Sequence, residues 1–118
     1  MRAAADVVAA LVAVEHLYFL VLEMFLWTRP AGLKAFGQSL EQAQASRVLA
    51  ANQGLYNGFL AAGLCWSFVA GAELARPVRT FFLACVVVAG MFGGATVGKK
   101  ILILQALPAA IALALLWA

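Results

Sequence analysis

Asp6-Val-Val-Ala-Ala-Leu-Val-Ala-Val-Glu15-His16-Leu-Tyr18, continued by Phe19-Leu-Val-Leu-Glu23-Met-Phe-Leu-Trp27, is the stretch on which the reading of this chain turns. At about 1.5 Å of rise per residue it is long enough to cross a hydrocarbon core about 30 Å thick. Yet it carries Glu15, His16 and Glu23 at depths where lipid would surround them. An ionisable side chain inside a bilayer costs roughly 2.5 kcal/mol or more, so such residues are paired, face a cavity or do work. Function is therefore sought first at these three positions.

Working outward, a second stretch repeats the anomaly: Arg47-Val-Leu-Ala-Ala-Asn52-Gln53-Gly54-Leu-Tyr56-Asn57-Gly58. Hydrophobic residues make up 66% of the 118 positions and charged residues 11%, against about 25% charged in soluble domains. With a mean hydropathy of +1.00, the chain reads as an integral membrane protein. Four spans, about 5–27, 47–70, 78–98 and 101–117, use up residues 1–118 as a single transmembrane domain. No length remains for a soluble catalytic domain. Arg2 followed by an apolar run resembles a signal peptide, but Asp6 and Glu15 interrupt it, and the segment reads as a retained first span.

The punctuation supplies further expectations. Arg29-Pro30 is expected to stop the first helix, leaving a polar loop from Thr28 to about Ser39. Ser39 with Gln42 makes a capping-box pattern, from which a helix would run through Glu41 and Arg47 into the second span. A connection over 72–79 holds Glu73, Arg76 and Pro77, and Lys99-Lys100 is expected to form a tight turn. Pro108 should kink the fourth span, which is tolerated where neighbours satisfy the freed carbonyl. Gly90, Gly94 and Gly98, like Gly54 and Gly58, form small-residue stripes suited to close helix approach.

Charge indicates placement rather than partner. Arg29, Lys34, Arg47, Lys99 and Lys100 fall on one side, and Arg2, Arg76 and Arg79 on the other. The positive-inside rule then puts loops 28–46 and 99–100 in the cytoplasm of a multi-pass protein of the bacterial inner membrane. The net charge of +3 marks helix ends and not nucleic-acid binding, since no basic run is interleaved with exposed aromatics. Cys65 and Cys85 stand singly in apolar segments and read as structural thiols.

Helical spacing sorts the polar residues. His16 and Glu23, seven positions apart, share one face, whereas Glu15 lies about 100° to the side. Asn52 with Tyr56, and Gln53 with Asn57, form two adjacent stripes, and Arg47 sits a turn or two above them. These amides and the phenol suit a moderately polar ligand, with Arg47 holding an anionic group or neutralising a glutamate. Gln105 adds another possible contact from the fourth span. His16, Glu23 and Glu15 are accordingly the candidate catalytic residues, and Arg47, Asn52, Gln53, Tyr56 and Asn57 the candidate ligand-binding residues. The bland readings stand beside these: structural ion pairs, and amides that fix helix packing. One histidine and two separated thiols make no zinc site, whereas haem needs as little as one axial histidine. No hydrolase elbow, phosphate loop, dinucleotide fingerprint or HExxH motif occurs.

The run from Glu15 through Trp27, the loop Lys34-Ala-Phe36-Gly37 and Val48-Leu-Ala-Ala-Asn52-Gln53-Gly54-Leu-Tyr56-Asn57-Gly58-Phe59 together resemble a family of small bacterial four-span membrane proteins known only as a domain of unknown function. The resemblance covers essentially the whole chain and implies topology without an activity. Separately, Arg47-Val48, Ala51, Phe59-Leu60 and Trp66 to Gly71 are similar to the second helix of the membrane-associated glutathione and eicosanoid metabolism family, four-helix trimers with sites between subunits. The arginine carries over. Glutathione binding does not follow, because Gly54 and Asn57 stand where that motif places asparagine and glutamate. Styrene oxide isomerase, another small four-helix trimer that holds haem through a histidine, offers an analogy for His16.

The expectation is an all-α transmembrane four-helix bundle, assembled as a homo-oligomer with a trimer favoured, carrying a polar intramembrane pocket. Its partners are the lipid bilayer, further copies of itself and a small lipophilic molecule that it binds or converts. A proton-coupled transporter or efflux subunit, and a structural membrane partner without chemistry, are the alternatives.

Overall fold

The computed structural model describes residues 2–118. The described residues form helices and turns: α1 (Arg2–Met24), α2 (Pro30–Phe36), α3 (Leu40–Ala45), α4 (Arg47–Val69), α5 (Ala72–Thr96) and α6 (Lys99–Leu116). By length and composition α1, α5 and α6 are fit to cross a membrane, which marks the chain as a membrane protein. α4 is as long as α1, at 23 residues each, but Arg47, Asn52, Gln53 and Asn57 dilute its apolar character and it falls outside that set.

Several boundaries depart from the sequence expectations, each for a local reason. α1 ends at Met24, before Arg29-Pro30. Pro30 instead opens α2 at its first position, where a missing N–H removes nothing the helix uses. α2 closes at Gly37 in the left-handed conformation, φ 62° and ψ 38°, which favours glycine. α5 starts at Ala72, so Pro77 lies inside a helix rather than in a connection. The turn between α5 and α6 falls at Val97–Gly98, and Lys99-Lys100 begin the next helix. Around Pro108 the response is a π-helical stretch, Leu102–Ala106, immediately before it. There the Leu107 amide reaches back to the Leu102 carbonyl, a widening that π-bulges provide inside helices.

The capping box at Ser39 is present in full. The Ser39 hydroxyl accepts from the Gln42 amide at 3.1 Å, and the Gln42 side chain accepts from the Ser39 amide at 3.0 Å. The helix it starts is short. Ser46 interrupts it, with its hydroxyl donating back to the Gln42 carbonyl at 3.0 Å, and α4 restarts at Arg47. Ser39→Ala is expected to cost about 1 kcal/mol of stability in detergent unfolding, with helical content otherwise kept. An unchanged midpoint would show that α3 is held by its neighbours alone.

The chain divides into two compact units, residues 1–14 with 60–118 and residues 15–59. The first unit has a core of Val12, Ala13, Leu64, Leu83, Val86, Ala109 and Ala112, drawn from α1, α4, α5 and α6. Within it α5 and α6 lie close because glycine removes side chains from the contact: a Cβ on Gly90 would stand 2.5 Å from the Ala106 backbone nitrogen. In the second unit, Trp27 packs on Phe36 with ring centroids 4.8 Å apart and donates its indole N–H to the Ser46 hydroxyl at 3.1 Å. Trp27 is thus tied into the connecting segment as well as ending the first apolar run.

Candidate functional site

In the second unit α1 and α4 meet through glycines. A Cβ at Gly54 would lie 2.6 Å from Met24 Cγ and 3.1 Å from Glu23 Cβ, and one at Gly58 would lie 2.7 Å from Leu20 Cδ1. The small-residue stripe of α4 therefore packs within the chain. That close approach lets Asn57 Nδ2 donate to Glu23 Oε1 at 2.6 Å. Asn57 follows Gly54 by three positions and precedes Gly58, so the same face carries the contact and the hydrogen bond.

His16 is fully buried, and its ring meets Phe19 edge-on with centroids 5.3 Å apart. Its Nδ1 lies 4.0 Å from Glu15 Oε1, an oxygen that is itself buried and accepts no hydrogen bond. The candidate catalytic residues are thus distributed as two local pairs, Glu15 beside His16 and Glu23 with Asn57.

The candidate ligand-binding residues separate. Asn57 turns to Glu23, whereas Asn52, Gln53 and Tyr56 are exposed, Tyr56 by 54%. Arg47 is exposed too and, with Thr28 and Gln44, lines a cleft of about 310 Å³. That cleft's lining includes neither glutamate of α1 nor His16. Among the described residues, no group of three His, Cys, Asp or Glu side chains converges in a way that could hold a metal ion.

A second polar cluster, which the sequence pattern does not reveal, lies inside the first unit. Arg79, only 6% exposed, pairs through Nη1 with Asp6. It also donates from Nε to the Ser67 hydroxyl at 3.0 Å and sets its guanidinium 4.0 Å from the Phe68 ring centroid. Ser67 in turn donates to the Leu64 carbonyl. The available signal was Asp6 near the start of an apolar helix, where a carboxylate calls for a cation. Nothing in the sequence pointed to one 73 positions away.

Residues 10–117 match the family described as "Protein of unknown function (DUF1304)". The chain belongs to that family. A relative by sequence is the "Uncharacterized protein YpaA" of Lactococcus lactis subsp. lactis (strain IL1403), 31% identical over 101 residues covering 84% of each chain. No solved structure matches the chain. The DUF1304 assignment carries no activity, so chemistry has to be argued from the side chains themselves.

Proposed function

We propose that this DUF1304 protein is a single four-span domain, with α4 as its second span, that binds a small lipophilic molecule at a polar intramembrane site on α1 and α4. The observation that carries the reading is the outward exposure of Asn52, Gln53 and Tyr56 on the helix whose Asn57 holds Glu23. An amide left without a partner in hydrocarbon costs several kcal/mol, so these groups need an occupant of matching polarity. A ligand with a carbonyl or hydroxyl satisfies two or three of them, while its apolar body occupies the lipid-like surroundings. Arg47 receives an anionic end, and the Glu15–His16 pair supplies acid–base capacity beside the Glu23–Asn57 pair.

A homo-oligomer completes the site in this reading, a trimer being favoured, because a neighbouring copy shields the α4 face from lipid without filling its polar groups. The test is organic extraction of protein purified from membranes, followed by mass analysis of the extract. Wild type is expected to carry one small lipophilic species in near-stoichiometric amount. The double variant Asn52→Leu/Tyr56→Phe is expected to lose about 90% of it, the loss of one or two hydrogen bonds to the ligand at about 1.4 kcal/mol per factor of ten. Asn57→Leu, which frees Glu23 and disturbs the α1/α4 contact, is expected to lose a similar share. Folded variants that retain the same species at wild-type levels would show that α4 does not bind it.

A further inference from the structure

We propose that a second, independent site in the first unit binds the phosphate oxyanion of a membrane amphiphile. The helix ends there enclose a cleft of about 790 Å³, lined by residues from the start of α1, the end of α4, the start of α5 and the end of α6. That volume suits a headgroup-sized ligand.

Three arginines, Arg2, Arg76 and Arg79, line it together with Asp6 and Glu73. Asp6 is committed to Arg79, so among the side chains that line the cleft Arg2 and Arg76 face the single carboxylate of Glu73, an excess of one cationic side chain. Arg79 has five N–H donors, and its bonds to Asp6 and Ser67 engage two of them. Arg76 is held in place, its guanidinium 4.8 Å from the Trp117 ring centroid, while the Trp117 indole donates to the Thr80 hydroxyl at 2.9 Å.

Phe68, Leu115 and Leu116 make the rest of the wall apolar. A tryptophan beside arginines at the ends of apolar helices marks headgroup depth in a bilayer. Planar guanidinium groups bind phosphate oxygens through paired N–H donors. The charge excess matches a phosphodiester, and the apolar wall matches the first methylenes of an acyl chain. Glu73 accommodates a headgroup ammonium where one is present.

The experiment uses the full chain in detergent micelles, observed by native mass spectrometry. It is titrated with dioctanoyl phosphatidylglycerol, dioctanoyl phosphatidylethanolamine, dioctanoylglycerol and inorganic phosphate. Both phospholipids are expected to bind about tenfold or more tightly than the phosphate-free dioctanoylglycerol, and Arg2→Gln/Arg76→Gln to remove that preference. Both arginines are exposed, so this variant is expected to stay folded, which its unfolding midpoint checks. Inorganic phosphate binding as tightly as the phospholipids would support the oxyanion site and assign its ligand to soluble phosphate. Equal binding of dioctanoylglycerol, or an unchanged preference in the double variant, would overturn the proposal. Asn57→Leu, which disrupts the α1/α4 site, is expected to leave these titrations unaltered, so the two sites fail separately.

Discussion

Asp6→Ala is expected to destabilise the detergent-solubilised protein by about 3 kcal/mol, among the largest effects of any single polar substitution in the chain. Arg79 is buried, and among the described residues its guanidinium group pairs with the Asp6 carboxylate beside Ser67 and Phe68. Removing one member of a buried ion pair leaves the other without compensation, at about 3–5 kcal/mol. The Asp6 side chain is itself 47% exposed, which places the effect at the lower end of that range. Asp6→Asn keeps an acceptor and is expected to cost less than Asp6→Ala. In the double variant Asp6→Ala/Arg79→Leu much of the loss should return, since the unpaired charge goes with its partner. Denaturant titration of the three variants measures this. A loss below about 1 kcal/mol for Asp6→Ala would mean that water or a lipid headgroup serves Arg79 equally well.

Gly90→Leu is expected to be at least as damaging, at about 3 kcal/mol or more, and Gly90→Ala to cost about 2. The reason lies in backbone and not in movable side chains. A Cβ at Gly90 would stand 2.5 Å from the Ala106 nitrogen and 2.8 Å from its Cα, at the end of the π-helical stretch. The helices would have to separate. That would also loosen Gly93 against Ile101 and Gly94 against Leu102, where a Cβ would meet side chains at 2.7 and 2.8 Å. Gly71→Ala is the control: nothing lies within 4 Å of its position, and a change within about 0.5 kcal/mol is expected. Similar midpoints for the Gly90 and Gly71 variants would mean that α5 and α6 do not depend on this contact.

What the sequence made legible follows from the range of the interactions involved. The apolar runs of α1, α5 and α6 are local signals, and so is the Ser39–Gln42 capping box. Proline was misleading because its meaning depends on where a helix begins. Pro30 starts one and Pro77 lies six residues into another, which a dipeptide does not reveal. The Ser46 break depends on a hydroxyl turned back to the Gln42 carbonyl, a choice made by side-chain geometry. Glu23 and Asn57 were both recognisable as misplaced polar groups, but their pairing needs Gly54 and Gly58 to bring α1 and α4 together. Arg79 was the largest omission. As one of several basic residues near helix ends it read as a headgroup anchor, and only the fold brings Asp6, Ser67 and Phe68 around it.

The central claim is that the polar face of α4 is covered by a lipophilic ligand and by neighbouring copies rather than by lipid. Native mass spectrometry of the wild-type chain, released directly from membranes, tests it most directly. The expected spectrum shows an assembly of more than one copy, three being favoured, that carries a small-molecule mass lost on Asn57→Leu. A monomer without added mass, with Asn57→Leu giving the same spectrum, would contradict it.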